Sequence, residues 1–165
     1  MKRAYIALGS NLEPRRLHLQ QAVQAIQQWG SIIQVAPLYE TLPYGPIAQP
    51  DFLNSALVLE THLPPLVLLR TLKTIEKQVG RQPRKRWGPR EIDLDIIFYD
   101  HLQFKSPELT IPHPDYPNRC FVLQPLADIA PTFIPPDAQQ PLAVLARRCS
   151  QRQDIQMIQQ NWVDL

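Results

Sequence analysis

The stretch Ile92–Tyr99 (IDLDIIFY) limits the fold more than any other part of this chain. Side chains alternate faces along a strand. Ile92, Leu94, Ile96 and Phe98 would share one face, and Asp93, Asp95, Ile97 and Tyr99 the other. One face is wholly apolar and must be covered. The other begins polar and turns apolar. Such a strand belongs in a sheet with one packed face, where one end of the second face lines a site. Asp93 and Asp95 would point the same way, roughly 7 Å apart along the strand.

The segments before it give the strand its place. Ala4–Leu8 is short, apolar and partly β-branched, and it ends in the turn cluster Gly9-Ser10-Asn11. Pro14 suits a first helical turn, and Leu19, Ala22, Val23 and Ile26 follow at helical spacing up to Gly30. Residues 31–36 read as a second strand and Phe52–Thr61 as a third. Between them, residues 37–51 read as a loop with four prolines, long enough to suggest a function. Pro64 and Pro65 open a second helix, with Leu68, Leu69, Leu72, Ile75 and Val79 as its core stripe and Gly80 as its cap. Residues 119–129 and Leu142–Arg147 read as further short helices; the tail after Gln151 is weakly patterned. The order β-α-β-β-α-β is that of the ferredoxin-like motif. It predicts one α+β domain over residues 1–165. Its antiparallel sheet would have both helices on one face, the other face free, and long loops bordering a site. Eighteen prolines, about twice the usual share of roughly 5%, fit long loops held in fixed shapes.

Charge is concentrated. Of 17 Lys and Arg, five lie in residues 80–90 (Arg81, Arg84, Lys85, Arg86, Arg90) with no acidic residue among them. The chain is therefore not a general nucleic-acid coat but carries one local anion-seeking patch. Cys120 and Cys149 form no CxxC and suggest no disulfide framework, so a reduced, cytoplasmic setting is expected. The apolar run near the N-terminus is broken by Gly9, too early for a signal peptide, and no run is long enough for a membrane span. A monomer acting on small molecules is expected, with neither nucleic acid nor membrane as partner.

A cationic loop running into paired carboxylates suits a polyphosphate with divalent metal. The arginine forks meet phosphate oxygens and the carboxylates hold the metal. A DxD alone is more often a solvated sheet face; the preceding loop shifts the balance. Trp87, set among arginines, would be costly if exposed without a partner to stack on. His113 and Arg119 could also reach phosphates, although a lone histidine is a weak signal. Asn54 on a mostly apolar strand needs partners if buried. It could read a heterocyclic ring stacked on Phe52 or Phe121. No GxxxxGK[ST] loop, GxGxxG, kinase signature or nucleophile elbow is present.

These motifs resemble one family, the 6-hydroxymethyl-7,8-dihydropterin pyrophosphokinases of folate biosynthesis. The resemblance rests on residues 5–12 (YIALGSNL), 49–54 (QPDFLN), 86–90 (RWGPR) with Asp93-Leu94-Asp95, residues 111–114 (IPHP), and Asn118-Arg119 with Phe121. It implies a ferredoxin-like fold, ATP as co-substrate and two Mg²⁺ ions. It also implies pyrophosphoryl transfer to the pterin hydroxymethyl oxygen with release of AMP. By the same resemblance Asp93 and Asp95 would hold the metal, with Arg81, Arg90 and Asp95 as catalytic residues. Arg84, Arg86, His113 and Arg119 would join them on the triphosphate. Lys73 and Glu76 would lie near the ribose or phosphates, and adenine would meet the backbone at Ile96, Leu109, Thr110 and Ile111. The pterin would lie between Phe52 and Phe121, read by Asn54 and by the backbone at Thr41, Leu42, Pro43 and Tyr44, with Trp87 closing over it. A non-catalytic nucleotide- or nucleic-acid-binding module on the same fold is the alternative, and a kinase releasing ADP a weaker one.

Overall fold

The computed structural model describes residues 1–149 and 154–165. Its elements run β1 (Lys2–Ser10), α1 (Arg15–Ile26), β2 (Ser31–Val35), β3 (Leu38–Thr41), β4 (Phe52–Thr61), α2 (Pro65–Val79) and β5 (Asp93–Tyr99). There follow β6 (Phe104–Lys105), β7 (Thr110–Ile111), α3 (Cys120–Ile129), α4 (Leu142–Arg147) and β8 (Ile155–Gln159). The main sheet has the order β5-β1-β4-β3-β8, with β2 also paired to β4. Its pairs are antiparallel. This is the expected α+β, ferredoxin-like arrangement.

Helices α1 and α2 cover one face. Leu19, Val23 and Ile26 of α1 and Leu68, Leu72 and Ile75 of α2 pack on Ile6, Leu8, Leu57, Leu59 and Leu94. Helix α2 stops at Gly80, whose φ of 121° favours glycine. Its N–H closes the last turn on the Glu76 carbonyl.

The opposite face is not free, as the motif alone suggested. Helices α3 and α4 cover half of it, with Val122, Leu126, Leu142 and Ala146 packed in one cluster with Tyr5, Ala56, Val58 and Phe98. The other half stays open, and the site lies there.

Strand β5 departs from strict alternation. Tyr5 pairs with Phe98 but Ile6 pairs with Ile96, so Ile97 is an extra residue in a bulge. Tyr99 therefore faces the α1/α2 core, and Phe98 faces α3. This reverses the faces expected for both. The faces of Ile92 to Ile96 precede the bulge and keep the expected alternation.

Leu38–Thr41, read as loop from the sequence, is a strand. Proline removes only its own donor, and pairing with β4 resumes two residues after Pro37, with Tyr39 opposite Asn54. The break is well satisfied. The Ala36 N–H donates to the Ala56 carbonyl, and the Ala36 carbonyl accepts from Ser55 Oγ and Trp162 Nε1. In the tail, residues 151–153 lie outside the described residues, and β8 then pairs with β3.

Cys120 and Cys149 are joined in a disulfide, contrary to the expectation of unpaired thiols. The packing of α3 on α4 brings together cysteines 29 residues apart, and no local motif signals that. Among the described residues no helix is long and apolar enough to cross a membrane.

Candidate active site

The open half of the sheet is made by three strands whose large apolar side chains give way, in the same direction, to small or polar ones. On the site face β1 runs Tyr5, Ala7, Gly9. Neighbouring β4 runs Val58, Ala56, Asn54, and β5 runs Phe98, Asp95, Asp93. Tyr5 and Phe98 close the far end through ring contacts with Phe133. Toward the other end the floor becomes Asp95–Ala7–Ala56 and then Asp93–Gly9–Asn54 in register. Gly9 leaves the room for this. A Cβ there would lie 2.6 Å from Asn54 Oδ1 and 3.6 Å from the Phe52 ring.

The walls of the resulting pocket come from distant loops. Tyr44 sits 5.7 Å from the Phe121 ring and 6.5 Å from the Trp87 ring. Arg90 lies over Phe52 at 5.4 Å, and Arg119 over Tyr44 at the same distance. Buried Asn54 donates from Nδ2 to Thr41 Oγ1 at 2.7 Å. One pocket thus holds Asp93 and Asp95 on its β5 side and Asn54 on its β4 side, with Arg90 and Arg119 lying over its aromatic rings.

The two carboxylates differ in how readily they ionise. Burial opposes ionisation of Asp93, but Arg90, Lys73 and Arg81 outweigh it and hold its pKa below the usual value. Arg81 Nη1 lies 2.9 Å from Asp93 Oδ1, and Arg90 Nε lies 3.4 Å from Asp93 Oδ2. Asp95 is pushed up to about 7 by burial and then by the charge of Asp93 beside it. A carboxylate pair with one member short of positive charge is what a divalent cation would neutralise, so these residues fit a metal. Among the described residues no group of three or more metal-ligating side chains occurs. Two protein carboxylates, completed by water and substrate phosphates, suit Mg²⁺.

Strand β5 is an edge strand, and its free edge is satisfied from α2. Glu76 Oε1 accepts from the Leu94 N–H at 2.8 Å and from Lys73 Nζ at 2.9 Å. Lys73 also donates to the Leu94 carbonyl, and Glu76 Oε2 meets Arg81 at 3.0 Å. The peptide between the two aspartates is therefore held from behind.

His113 is half-buried; this desolvation, with the charge of Arg119, lowers its pKa to about 4. Its Nδ1 accepts the Asp115 N–H at 3.1 Å, so the neutral ring carries its proton on Nε2. Asp115 also accepts from Asn118 and Arg119.

Of the residues singled out from the sequence, Asp93, Asp95, Arg90 and Arg119 meet Thr41, Leu42, Tyr44, Phe52, Asn54, Trp87 and Phe121 around this pocket. Pro43 lines an adjoining cavity with Cys120 and Asp154. Lys73, Glu76 and Arg81 form the network behind β5 just described. Arg84 is tied to Glu91 at 2.7 Å, and Arg86 stacks on Trp87. Ile96 is buried in the α1/α2 core. Thr110 and Ile111 pair with β6 and border a separate groove, and Leu109 packs at the core edge. Sequence reasoning missed Ala7 and Gly9, whose signal is only their small size at alternate positions of β1. It also missed Val122 in the pocket wall.

Paired carboxylates, arginines and aromatic rings thus meet around one pocket on a ferredoxin-like sheet. The family model described as 7,8-dihydro-6-hydroxymethylpterin-pyrophosphokinase (HPPK) matches residues 5–131, and the chain belongs to that family. A 2-amino-4-hydroxy-6-hydroxymethyldihydropteridine pyrophosphokinase of Pseudomonas aeruginosa is 43% identical over 141 residues, covering 84% of this chain and 87% of that protein. The enzyme of that name from Haemophilus influenzae is 40% identical over 160 residues, covering 96% and 98%. Among solved structures, wild-type HPPK-DHPS of Plasmodium falciparum matches with a TM-score of 0.71 at 17% identity, over 89% of this chain and 44% of that one. An HPPK-DHPS complex with substrates matches with a TM-score of 0.73 at 16% identity, over 94% and 46%. The chain thus spans less than half the length of these solved chains, and at such identities they speak to the fold alone.

Proposed function

We propose that this pocket is where the family's reaction takes place. The chain is a pyrophosphokinase: it transfers a pyrophosphoryl group from ATP to 6-hydroxymethyl-7,8-dihydropterin, giving the pterin diphosphate and AMP, in folate biosynthesis. The observation that carries the placement is that Asp93, Asp95, Arg90 and Arg119 share one cavity with Phe52, Asn54 and Phe121. The pterin ring stacks between Phe52 and Phe121. The Asn54 amide and the backbone at Thr41 to Tyr44 read its edge, and Trp87 closes the mouth. The β5 side of the pocket takes the triphosphate, with Arg81, Arg84, Arg86 and His113 reaching it from the surrounding loops. Adenine lies along the backbone at Leu109 to Ile111, with Lys73 and Glu76 toward the ribose side.

The pterin hydroxymethyl oxygen attacks the β-phosphorus as the bond to the AMP oxygen breaks. Such a transfer needs positioning and charge neutralisation more than covalent help from the protein. Two Mg²⁺ ions held by Asp93 and Asp95 would supply the neutralisation that a polyphosphate requires. Arg81 and Arg90 already lie against Asp93, so their charge is fixed in place before substrate arrives. Neutral His113 offers Nε2–H to a phosphate oxygen.

The reading also takes the protein to be a cytoplasmic monomer acting on small molecules, not on nucleic acid. The paired cysteines no longer argue for a reducing compartment, so the compartment rests on the reaction alone. The test is direct. ATP, Mg²⁺ and the hydroxymethyl dihydropterin are incubated with the protein; AMP and the pterin diphosphate are expected. ADP would point to ordinary kinase chemistry, and no nucleotide product to a binding module.

A further inference from the structure

Asn11 is 2% exposed, in the turn two residues beyond the pocket floor at Gly9. Every hydrogen-bonding atom of its side chain is engaged with a different part of the chain. Nδ2 donates to Gln49 Oε1 at 2.8 Å and to the Pro50 carbonyl at 2.9 Å. Oδ1 accepts the Arg90 N–H at 2.9 Å, and the Asn11 N–H donates to the Arg90 carbonyl at 3.2 Å. A carbonyl can only accept and a peptide N–H can only donate, so these partners fix which way the amide points. Gln49 continues the chain: its Nε2 donates to the Trp87 carbonyl at 2.7 Å. Its orientation is fixed by the same logic.

The residue at the end of this chain needs holding. Trp87 has φ 67°, in the left-handed region that non-glycine residues rarely occupy. Its ring is packed so close to Gly45 that a Cβ there would lie 3.4 Å from it. Trp87 and Arg90 both line the pocket, whereas Asn11 and Gln49 do not line it.

We infer that Asn11 and Gln49 are positioning residues, a two-amide relay that sets Trp87 and Arg90 together over the pocket. The relay ties the proline-rich loop on the pterin side to the basic loop on the phosphate side, and both to the turn after β1. Through it, the aromatic cover and the arginine share one anchor. This inference rests on the pocket assignment for its kinetic consequence but not for its structural one.

The experiment therefore has two arms. In the substrate-free protein, amide hydrogen exchange is followed for peptides spanning residues 84–91 in wild type, Gln49→Ala, Gln49→Glu and Asn11→Asp. Gln49→Glu keeps the acceptor for Asn11 but sets an acceptor against the Trp87 carbonyl. Asn11→Asp keeps the acceptor for the Arg90 N–H but loses both donors. Exchange in this segment should rise roughly tenfold in each variant, the value expected for losing one or two such bonds, with β1 and β4 unchanged. Unchanged exchange in residues 84–91 overturns the relay, whatever the enzyme assay shows. In the kinetic arm, Gln49→Ala should raise the pterin KM roughly tenfold and move the ATP KM less than twofold. The double variant with Asn11→Asp should be no worse than Asn11→Asp alone. Additive losses would mean that the residues act separately and would refute a shared anchor. Lost protection with wild-type kinetics would refute the positioning role. Lack of AMP formation by the wild-type protein would count against the proposed function instead.

Discussion

Replacing Glu76 by Gln tests how the aspartate-bearing edge of the sheet is held. Glu76 is 3% exposed and receives the Leu94 N–H, Lys73 and Arg81. Glutamine keeps the size and one acceptor, so the Leu94 bond survives. What is lost is the charge opposite two cations, and an NH₂ donor now faces the Arg81 donor. A fully buried pair broken on one side costs about 3–5 kcal/mol. Here Lys73 and Arg81 are 43% and 30% exposed, and Arg81 keeps Asp93, so much of that is screened. A loss of about 2 kcal/mol remains. For a chain of this length each kcal/mol lowers the unfolding midpoint by about 2–4 °C, so a fall of roughly 4–8 °C is expected. Urea and thermal unfolding at pH 7.5 without divalent cation would measure it, with Thr74→Ala on the exposed side of α2 as the control. Glu76→Gln within 0.5 kcal/mol of wild type on the scale of ordinary surface changes, or more stable, would refute the view that this carboxylate anchors β5.

Four other outcomes follow from the site. Asp95, with its pKa raised to about 7, holds a proton below that pH that a metal must displace. Apparent Mg²⁺ affinity should therefore fall roughly tenfold per pH unit below about 7 and level off above it; calorimetry showing no pH dependence, or the same dependence in Asp95→Asn, would contradict this. In the metal-free protein the sign for stability is opposite. The folded state holds a proton that the unfolded chain has lost, so this group's contribution declines as pH rises from about 4 to 7 and is gone in Asp95→Asn. Gly9→Ala sets a methyl 2.6 Å from Asn54 Oδ1, which must shift the amide, and the pterin KM should rise at least about tenfold; an unchanged KM would remove Gly9 from the floor of the pterin site. His113, lowered to about 4 by burial and Arg119, should show no titration between pH 5 and 8 by NMR, with its proton on Nε2; a midpoint near 6.5 would mean the ring is solvated.

Much of the fold was legible from periodicity. Leu19–Ile26 and Leu68–Val79 carried a helical stripe, and Ile92–Ile96 an alternating one; these stripes became the core on one face of the sheet. Asp93 and Asp95 were read as side by side, and they are. The faces of Phe98 and Tyr99 and the burial of Glu76 were not legible. The bulge at Ile97 is set by how β5 registers against Tyr5 and Ile6, more than ninety residues earlier, and it exchanges the faces of Phe98 and Tyr99. Glu76 was expected near the ribose or phosphates by resemblance alone, and nothing in its local sequence pointed to burial. It became a buried anchor because β5 is an edge strand whose open backbone groups need partners.

The sequence by itself determined which stretches could form the sheet and its helices, where positive charge concentrates, and that two carboxylates would share a face. Those are local properties, carried by spacing and charge within ten or twenty residues. Tertiary structure alone decided that α3 and α4 cover only half of the second face, that Cys120 meets Cys149, and that Gly9 becomes the floor between Asn54 and Asp93. It also brought Asn11 onto Gln49 and Arg90, 38 and 79 residues away. Each of these depends on strand register or helix packing across long sequence separations, and no local pattern records which distant partner a side chain will meet.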